Sequence, residues 1–153
     1  MRVECDSMDS AEFFGRNDPL TEKIIGVYEV YNELGFGFLE SVYREAMRMA
    51  LGQAGLPVEA EVPVPVSFRG EVVGVFRADL VVDGRIVVEL KTAESISKVH
   101  EAQVLHYLRA SAMEVGLVMN FGPSARFRRV EMRNDRKKRV LIDALRPSEV
   151  VGR

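Results

Sequence analysis

Three charged side chains interrupt two apolar stretches of this 153-residue chain, and their spacing sets the first chemical question. The stretches are Arg77-Ala78-Asp79-Leu80-Val81-Val82 and Val87-Val88-Glu89-Leu90-Lys91. A carboxylate placed inside an apolar strand is costly unless something pairs with it. In a strand alternate side chains share a face, so Glu89 and Lys91 project from one side and Val88 and Leu90 from the other. Asp79 lies ten residues before Glu89, on the preceding segment. Two carboxylates from neighbouring strands make a partial cage for Mg²⁺ or Mn²⁺, hard ions that take oxygen ligands and keep several waters. Such an ion polarises a phosphoryl oxygen and lowers the pKa of a bound water. A lysine two residues after the second acid can orient that water or stabilise developing negative charge. As bare spacing the pattern is also that of a solvated sheet face, with Lys91 a salt-bridge partner of two surface acids.

The cation-site reading makes a demand on the turn between the strands. Asp83-Gly84 is a strong hairpin signal. A two-residue loop would pair Asp79 with Val88 and set Asp79 on the face away from Glu89. A three-residue loop, Asp83-Gly84-Arg85, pairs Asp79 with Glu89. The chemistry therefore requires the longer loop, or a bulge.

The elements that must position these groups follow from periodicity. Asp18-Pro19 opens a helix with apolar residues at Ile24, Val27, Tyr28, Tyr31 and Leu34, stopped by Gly35-Phe36-Gly37. A second helix is expected from about Phe38 to Ala54, burying Leu39, Val42, Tyr43, Ala46, Met47 and Ala50. The period then changes to two. Val58–Phe68 reads as a strand, made an edge strand by Pro63 and Pro65. A turn at Arg69-Gly70-Glu71 leads to a strand over Val72–Val82, and Arg85–Lys91 forms a third. A helix is expected over Ser97–Met113, packing through Val99, Ala102, Leu105, Tyr107, Leu108 and Ala112. Val115–Asn120 is an interior strand, Phe121 to Ser124 a turn, and Arg126–Arg133 a last strand. Leu141–Val150 is a candidate terminal helix. The order α α β β β α β β, a meander and then a helical crossover, makes an α/β fold with a mixed central sheet flanked by helices.

Gln103 and Tyr107 share a face of the helix after the third strand, and His100 lies near it. Gln103 can hold a phosphate or water, and Tyr107 can contact sugar or phosphate; both also suit a helix packed on a sheet. His100 and His106 have no metal-ligand spacing between them. Glu40 stands three residues before Tyr43, beside the buried stripe of the second helix, where it can reach the sheet or simply favour the helix dipole.

Composition sets outer limits. With 47% hydrophobic residues the chain can bury one core, and its length fits one domain. We divide it into an arm over 1–17, a domain over 18–140 and a tail or short helix over 141–153. There is no apolar run long enough for a spanning helix and no signal-peptide pattern, so no membrane association is expected. Cys5 is the only cysteine, which excludes an internal disulfide and a cysteine-based zinc site and points to a reducing cytoplasm. A net charge of −2 argues against coating nucleic acid through bulk positive charge. The segment from Arg126 to Arg139, however, carries eight basic residues and two acidic ones. Arg126, Arg128 and Arg129 could there contact phosphates, or the segment could be a solvated charged tail.

The run Gly37-Phe38-Leu39-Glu40-Ser41-Val42-Tyr43 resembles the G-x-x-E-x-x-Y signature of the GxxExxY family. The resemblance extends through Phe76–Val82, Val88–Lys91, His100-Glu101-Ala102-Gln103, Tyr107-Leu108 and Gly116–Gly122, over about residues 20 to 131. That family looks like a branch of the PD-(D/E)XK nucleases. The resemblance implies a restriction-endonuclease-like core and a metal-dependent nuclease acting on DNA or RNA. It implies that Asp79 and Glu89 are the metal-binding acids and Lys91 the motif lysine. Glu40 would be the helix carboxylate that joins the metal shell, and Gln103 with Tyr107 a Q-x-x-x-Y element. Ala78 stands where many members have proline, a position that varies widely. Two other functions fit the same residues: a non-catalytic nucleic-acid-binding or regulatory module, and a core that works only with a partner subunit. A homodimer is possible, though an active homodimer on its own would count against the partner-subunit reading.

Overall fold

A computed structural model describes residues 19–137. Five strands form one sheet in the order β1-β2-β3-β4-β5: β1 (Val58–Phe68), β2 (Glu71–Val82), β3 (Ile86–Lys91), β4 (Val115–Phe121) and β5 (Ala125–Glu131). β3 and β4 are parallel and the other neighbours antiparallel. The parallel pair needs a crossover, supplied by α4 (Lys98–Arg109). The expected mixed sheet between helices is what forms.

The helices α1 (Pro19–Val27), α2 (Val30–Leu34) and α3 (Glu40–Gln53) cover one face. Leu20, Ile24, Tyr28, Tyr31, Tyr43, Met47 and Leu51 pack there on Leu80, Val82, Ile86, Val88, Leu90, Leu117, Met119 and Phe121. Helix α4 covers the other face, with Val104, Tyr107 and Leu108 on Val81, Val87, Val118 and Val130. The alternation along β3 thus places Glu89 and Lys91, in phase with Val87, on the α4 side.

Several boundaries differ from the periodicity. The single helix expected up to Leu34 is broken into α1 and α2. Tyr28 N–H donates to the Ile25 carbonyl, a tightened turn, just where the tyrosines reach across the fold. The Tyr28 hydroxyl donates to the Arg126 carbonyl and the Tyr31 hydroxyl to that of Gly122, and both rings meet Phe121. Helix α3 starts at Glu40, and Leu39 and Val42, expected in its stripe, are 77% and 39% exposed. Its buried line runs instead through Tyr43, Met47 and Leu51. Helix α4 ends at Arg109, four residues early, and Val99 and Ala112 are exposed rather than packed. Phe121 belongs to β4. Asp18 as N-cap, the arm, and the candidate helix Leu141–Val150 lie outside the described residues.

Candidate metal centre

The turn between β2 and β3 has three residues. Val82 pairs with Ile86, Val81 with Val87 and Leu80 with Val88, so Asp79 comes level with Glu89 as a cation site requires. Arg85 N–H closes the loop onto the Val82 carbonyl at 3.0 Å. Asp83 and Gly84 both take left-handed backbone angles, φ 53° and 62°, which glycine adopts freely and aspartate tolerates. Asp83 N–H also donates to the Pro57 carbonyl at 2.7 Å, tying the loop to the start of β1.

Beyond Leu80 the β2–β3 ladder stops, and the site lies where the strands part. The Asp79 side chain fills the gap: its Oδ2 accepts the Leu90 N–H at 2.8 Å. Its Oδ1 lies 3.5 Å from the Arg44 guanidinium, which is also 3.5 Å from Glu61. Glu89 is 8% exposed, and its Oε2 is buried with no hydrogen-bond partner. Lys91 Nζ stands 3.7 Å from its other oxygen. Burial, followed by the charge of Asp79, pushes the Glu89 carboxyl up to about 8; Lys91 pulls it back only in part, and Glu40 adds a smaller repulsion.

Glu40 arrives by a device that accounts for the G-x-x-E-x-x-Y spacing. Gly37 has φ 114°, a conformation that side chains rarely adopt, and it turns the chain into α3. The Tyr43 hydroxyl, one turn into the helix, donates to the Gly35 carbonyl and accepts the Phe38 N–H. That clamp fixes the start of the helix and its first residue, Glu40, whose charge is felt at Glu89. Arg44 follows Glu40 by four positions and shares its face.

Helix α4 closes the other side. Ser97 and His100 form a reciprocal cap, each side chain accepting the other's backbone N–H. His100 is thus a capping residue, its pKa lowered by burial and by Lys91 and raised by Glu40. The Tyr107 hydroxyl donates to the Arg77 carbonyl, and burial, then Glu89 and Asp79, raise its pKa. Gln103 lies between His100 and Tyr107 on the helix, and its Oε1 is buried without a partner. Glu89 is thus within electrostatic reach of Asp79, Lys91, Glu40 and Tyr107.

Among the described residues the basic segment does not form a single patch. Along β5, Arg126 and Arg128 alternate with Arg129, which faces the helices α1–α3. Arg128 is 3.5 Å from Glu101, and Arg129 is 2.8 Å from Glu131. Lys137 is buried and donates to the Ser111 and Met113 carbonyls.

Two residues at the site were missed by sequence reasoning. Arg44 was legible as the residue one turn after Glu40. Asn120, fully buried in β4 beside Lys91, accepts the Ala93 N–H and donates to the carbonyls of Ala93 and Ser124. It fixes the chain just after Lys91, and its signal was an amide inside an apolar strand. Next to the site a cavity of about 360 Å³ is lined by Phe36, Phe38, Thr92, Glu94, Phe121 and Pro123.

Among the described residues no three carboxylate, imidazole or thiol groups already stand together as a ready cation cluster. The donors nonetheless suit a hard divalent ion: a buried carboxylate oxygen without a partner lies beside a second carboxylate that repels it. A model of the PD-(D/E)XK nuclease superfamily matches residues 18–132. No curated protein and no solved structure matches the chain.

Proposed function

The chain belongs to the PD-(D/E)XK nuclease superfamily, and we propose that it hydrolyses phosphodiester bonds of DNA or RNA, as a member of the GxxExxY branch, using Mg²⁺ or Mn²⁺ held by Asp79, Glu89 and Glu40. The observation that carries this reading is the buried, unpaired Oε2 of Glu89 level with Asp79 and beside Lys91. When bound, the ion would polarise a phosphoryl oxygen and acidify a water.

The chain's own groups do the rest. Lys91 is held on Glu89, and Asn120 fixes the chain two residues further on, at Ala93; the Lys91 ammonium orients the attacking water and stabilises charge growing on the phosphoryl oxygens. Gln103 offers a side chain with an unused oxygen to that water. Tyr107 holds β2 through the Arg77 carbonyl and lines the approach of the sugar-phosphate chain. The exposed rings of Phe36 and Phe38, beside Glu40, receive a base flanking the cleaved bond by stacking. Arg126 and Arg128, on the same side of the sheet as Glu89 and Lys91, contact phosphates, Arg128 by exchanging Glu101 for the backbone; Arg129 contributes only by leaving Glu131. A cytoplasmic setting is part of this reading, supported by the lone cysteine.

The test is cleavage of end-labelled single-stranded, duplex and branched DNA and RNA with and without Mn²⁺. Metal-supported cleavage is expected, and Asp79→Ala and Lys91→Ala should each abolish it; activity that survives both changes refutes the proposal. Arg44 favours a second reading, a non-catalytic nucleic-acid-binding module, because its guanidinium already neutralises Asp79. In that case binding persists in chelator, falls steeply with salt, and no substrate is turned over.

A further inference from the structure

The cavity beside the carboxylates is built from the segments that carry them. One wall is the loop before α3, with Phe36 and with Phe38 two residues ahead of Glu40. Another is the chain leaving β3, with Thr92 next to Lys91 and Glu94 two residues on. Phe121, the last residue of β4, lines it as well. The cavity therefore lies at the carboxyl ends of β3 and β4, the parallel pair, the end at which open α/β sheets bind ligands.

Its lining suits a base better than a phosphate. Phe36 and Phe38 are 56% and 48% exposed, so the core makes little use of either ring. They are nonetheless held in place. The Phe38 ring meets Tyr43 edge to face with centroids 6.1 Å apart, and Tyr43 stacks on Phe121 at 4.6 Å. The Tyr43 hydroxyl also fixes the backbone on both sides of Phe36, through the Gly35 carbonyl and the Phe38 N–H. Aromatic rings presented in this way are platforms on which bases stack. The charged group in the lining is Glu94, which is exposed and has no ion-pair partner among the described residues. A carboxylate repels the phosphate backbone. At about 360 Å³ the cavity is at the small end of ligand pockets, with room for one base rather than a base pair.

We propose that this cavity holds one unpaired guanine beside the cleaved bond, stacked on the phenylalanine rings and bonded to Glu94 through its N1–H and 2-amino groups. The assignment deepens the nuclease reading and rests on nucleic acid being the substrate. An ionised carboxylate can only accept hydrogen bonds. Of the common bases, guanine alone sets two donors side by side on its Watson–Crick edge, a match for both carboxylate oxygens. Adenine and cytosine place an acceptor beside the amino group, and thymine and uracil flank a single N–H with two carbonyls. In a duplex that edge is taken up by pairing. The substrate class is therefore a single strand, a loop or a bulge, whose bases can be splayed out and read on that edge.

Fluorescence anisotropy of the full chain in chelator, so that no strand is cut, tests it. The probes are labelled thymidine and uridine oligomers that carry no guanine, one central guanine, or one central hypoxanthine, which lacks the 2-amino group. A duplex holding the same guanine is the fourth probe. The guanine strand should bind about tenfold tighter than the plain or the hypoxanthine strand, and tighter than the duplex. Glu94→Gln should erase that preference and leave the plain strands bound as before. Phe38→Ala should weaken the guanine strand by about fivefold or more. Circular dichroism of each variant checks that the fold is intact. A chain that binds all single strands alike, prefers the duplex, or keeps its guanine preference in Glu94→Gln overturns the assignment and leaves the nuclease reading standing. A chain that binds no strand overturns both, and guanine-selective binding without cleavage in Mn²⁺ overturns the nuclease reading alone.

Discussion

Glu89→Gln separates the cost of the site from its use. The change keeps the shape of the side chain and removes its charge. In the metal-free protein burial and Asp79 hold the Glu89 carboxyl near 8, against an ordinary 4.5. Between those two pH values the folded chain therefore carries a proton at Glu89 that the unfolded chain has lost. The stabilisation is present in full below pH 4.5 and disappears as pH rises through about 8. Taken at face value the difference corresponds to at most about 5 kcal/mol. In a chain of this size each kcal/mol moves Tm by about 2–4 °C. Metal-free Glu89→Gln should thus melt with the wild type at pH 5 and about 5–10 °C above it at pH 9. Mn²⁺ at about a hundred times its Kd should stabilise the wild type by about 2.7 kcal/mol and the variant hardly at all. Differential scanning calorimetry in chelator and in Mn²⁺ reads both effects. A variant that melts below the wild type at every pH, or one that Mn²⁺ stabilises equally, refutes the reasoning.

Four further outcomes follow from the surroundings of the site and of the sheet. Gly122→Ala places a Cβ 1.9 Å from the Ala93 carbonyl oxygen, so backbone must move; a loss of about 3 kcal/mol or more is expected in urea denaturation. Gly116→Ala meets only a Val104 methyl, at 2.2 Å, and should cost about 1 kcal/mol. Asn120→Ala leaves the Ala93 N–H and carbonyl without their partner and should cost about 2–4 kcal/mol in the same assay, with kcat falling more than KM changes. Arg44→Met frees Asp79 from a competing cation: Mn²⁺ should bind about fivefold tighter by calorimetric titration while the metal-free Tm falls slightly.

The turn that a shared Asp79–Glu89 site requires was more legible than the helix boundaries. The need for Asp79 and Glu89 to share a point required a three-residue loop, and Asp83-Gly84-Arg85 forms one because aspartate and glycine accept consecutive left-handed angles. The division of the first helix was not legible, because no breaker marks Tyr28. The turn there accompanies two tyrosine hydroxyls that bond to carbonyls about ninety residues away, at Arg126 and Gly122. Leu39 and Val42 were placed inside by helical spacing, but the phase of α3 is set by the Tyr43 clamp, which turns both outward. The charge run after Arg126 gave sign without partners. Which arginines face α4, and which are satisfied by Glu101 or Glu131, depends on strand register and on a helix far away in sequence.

Without a cation the two central acids are kept from facing each other as bare charges in different ways. Asp79 is served by the Leu90 N–H and Arg44, so a backbone donor and a guanidinium hold its charge. Glu89 has only Lys91 at 3.7 Å and keeps one oxygen unpaired, so at neutral pH it remains protonated. A divalent ion entering here must displace one proton and one guanidinium. Its apparent affinity should therefore rise with pH up to about 8. The same asymmetry explains why both partners are tethered rather than rigid: Arg44 can retire to Glu61, also 3.5 Å away, when Asp79 turns to another cation. Glu61 sits level with Asp79 on β1 in a left-handed conformation, φ 53°, that takes it out of the regular ladder. That local irregularity is what gives the guanidinium a second carboxylate within reach.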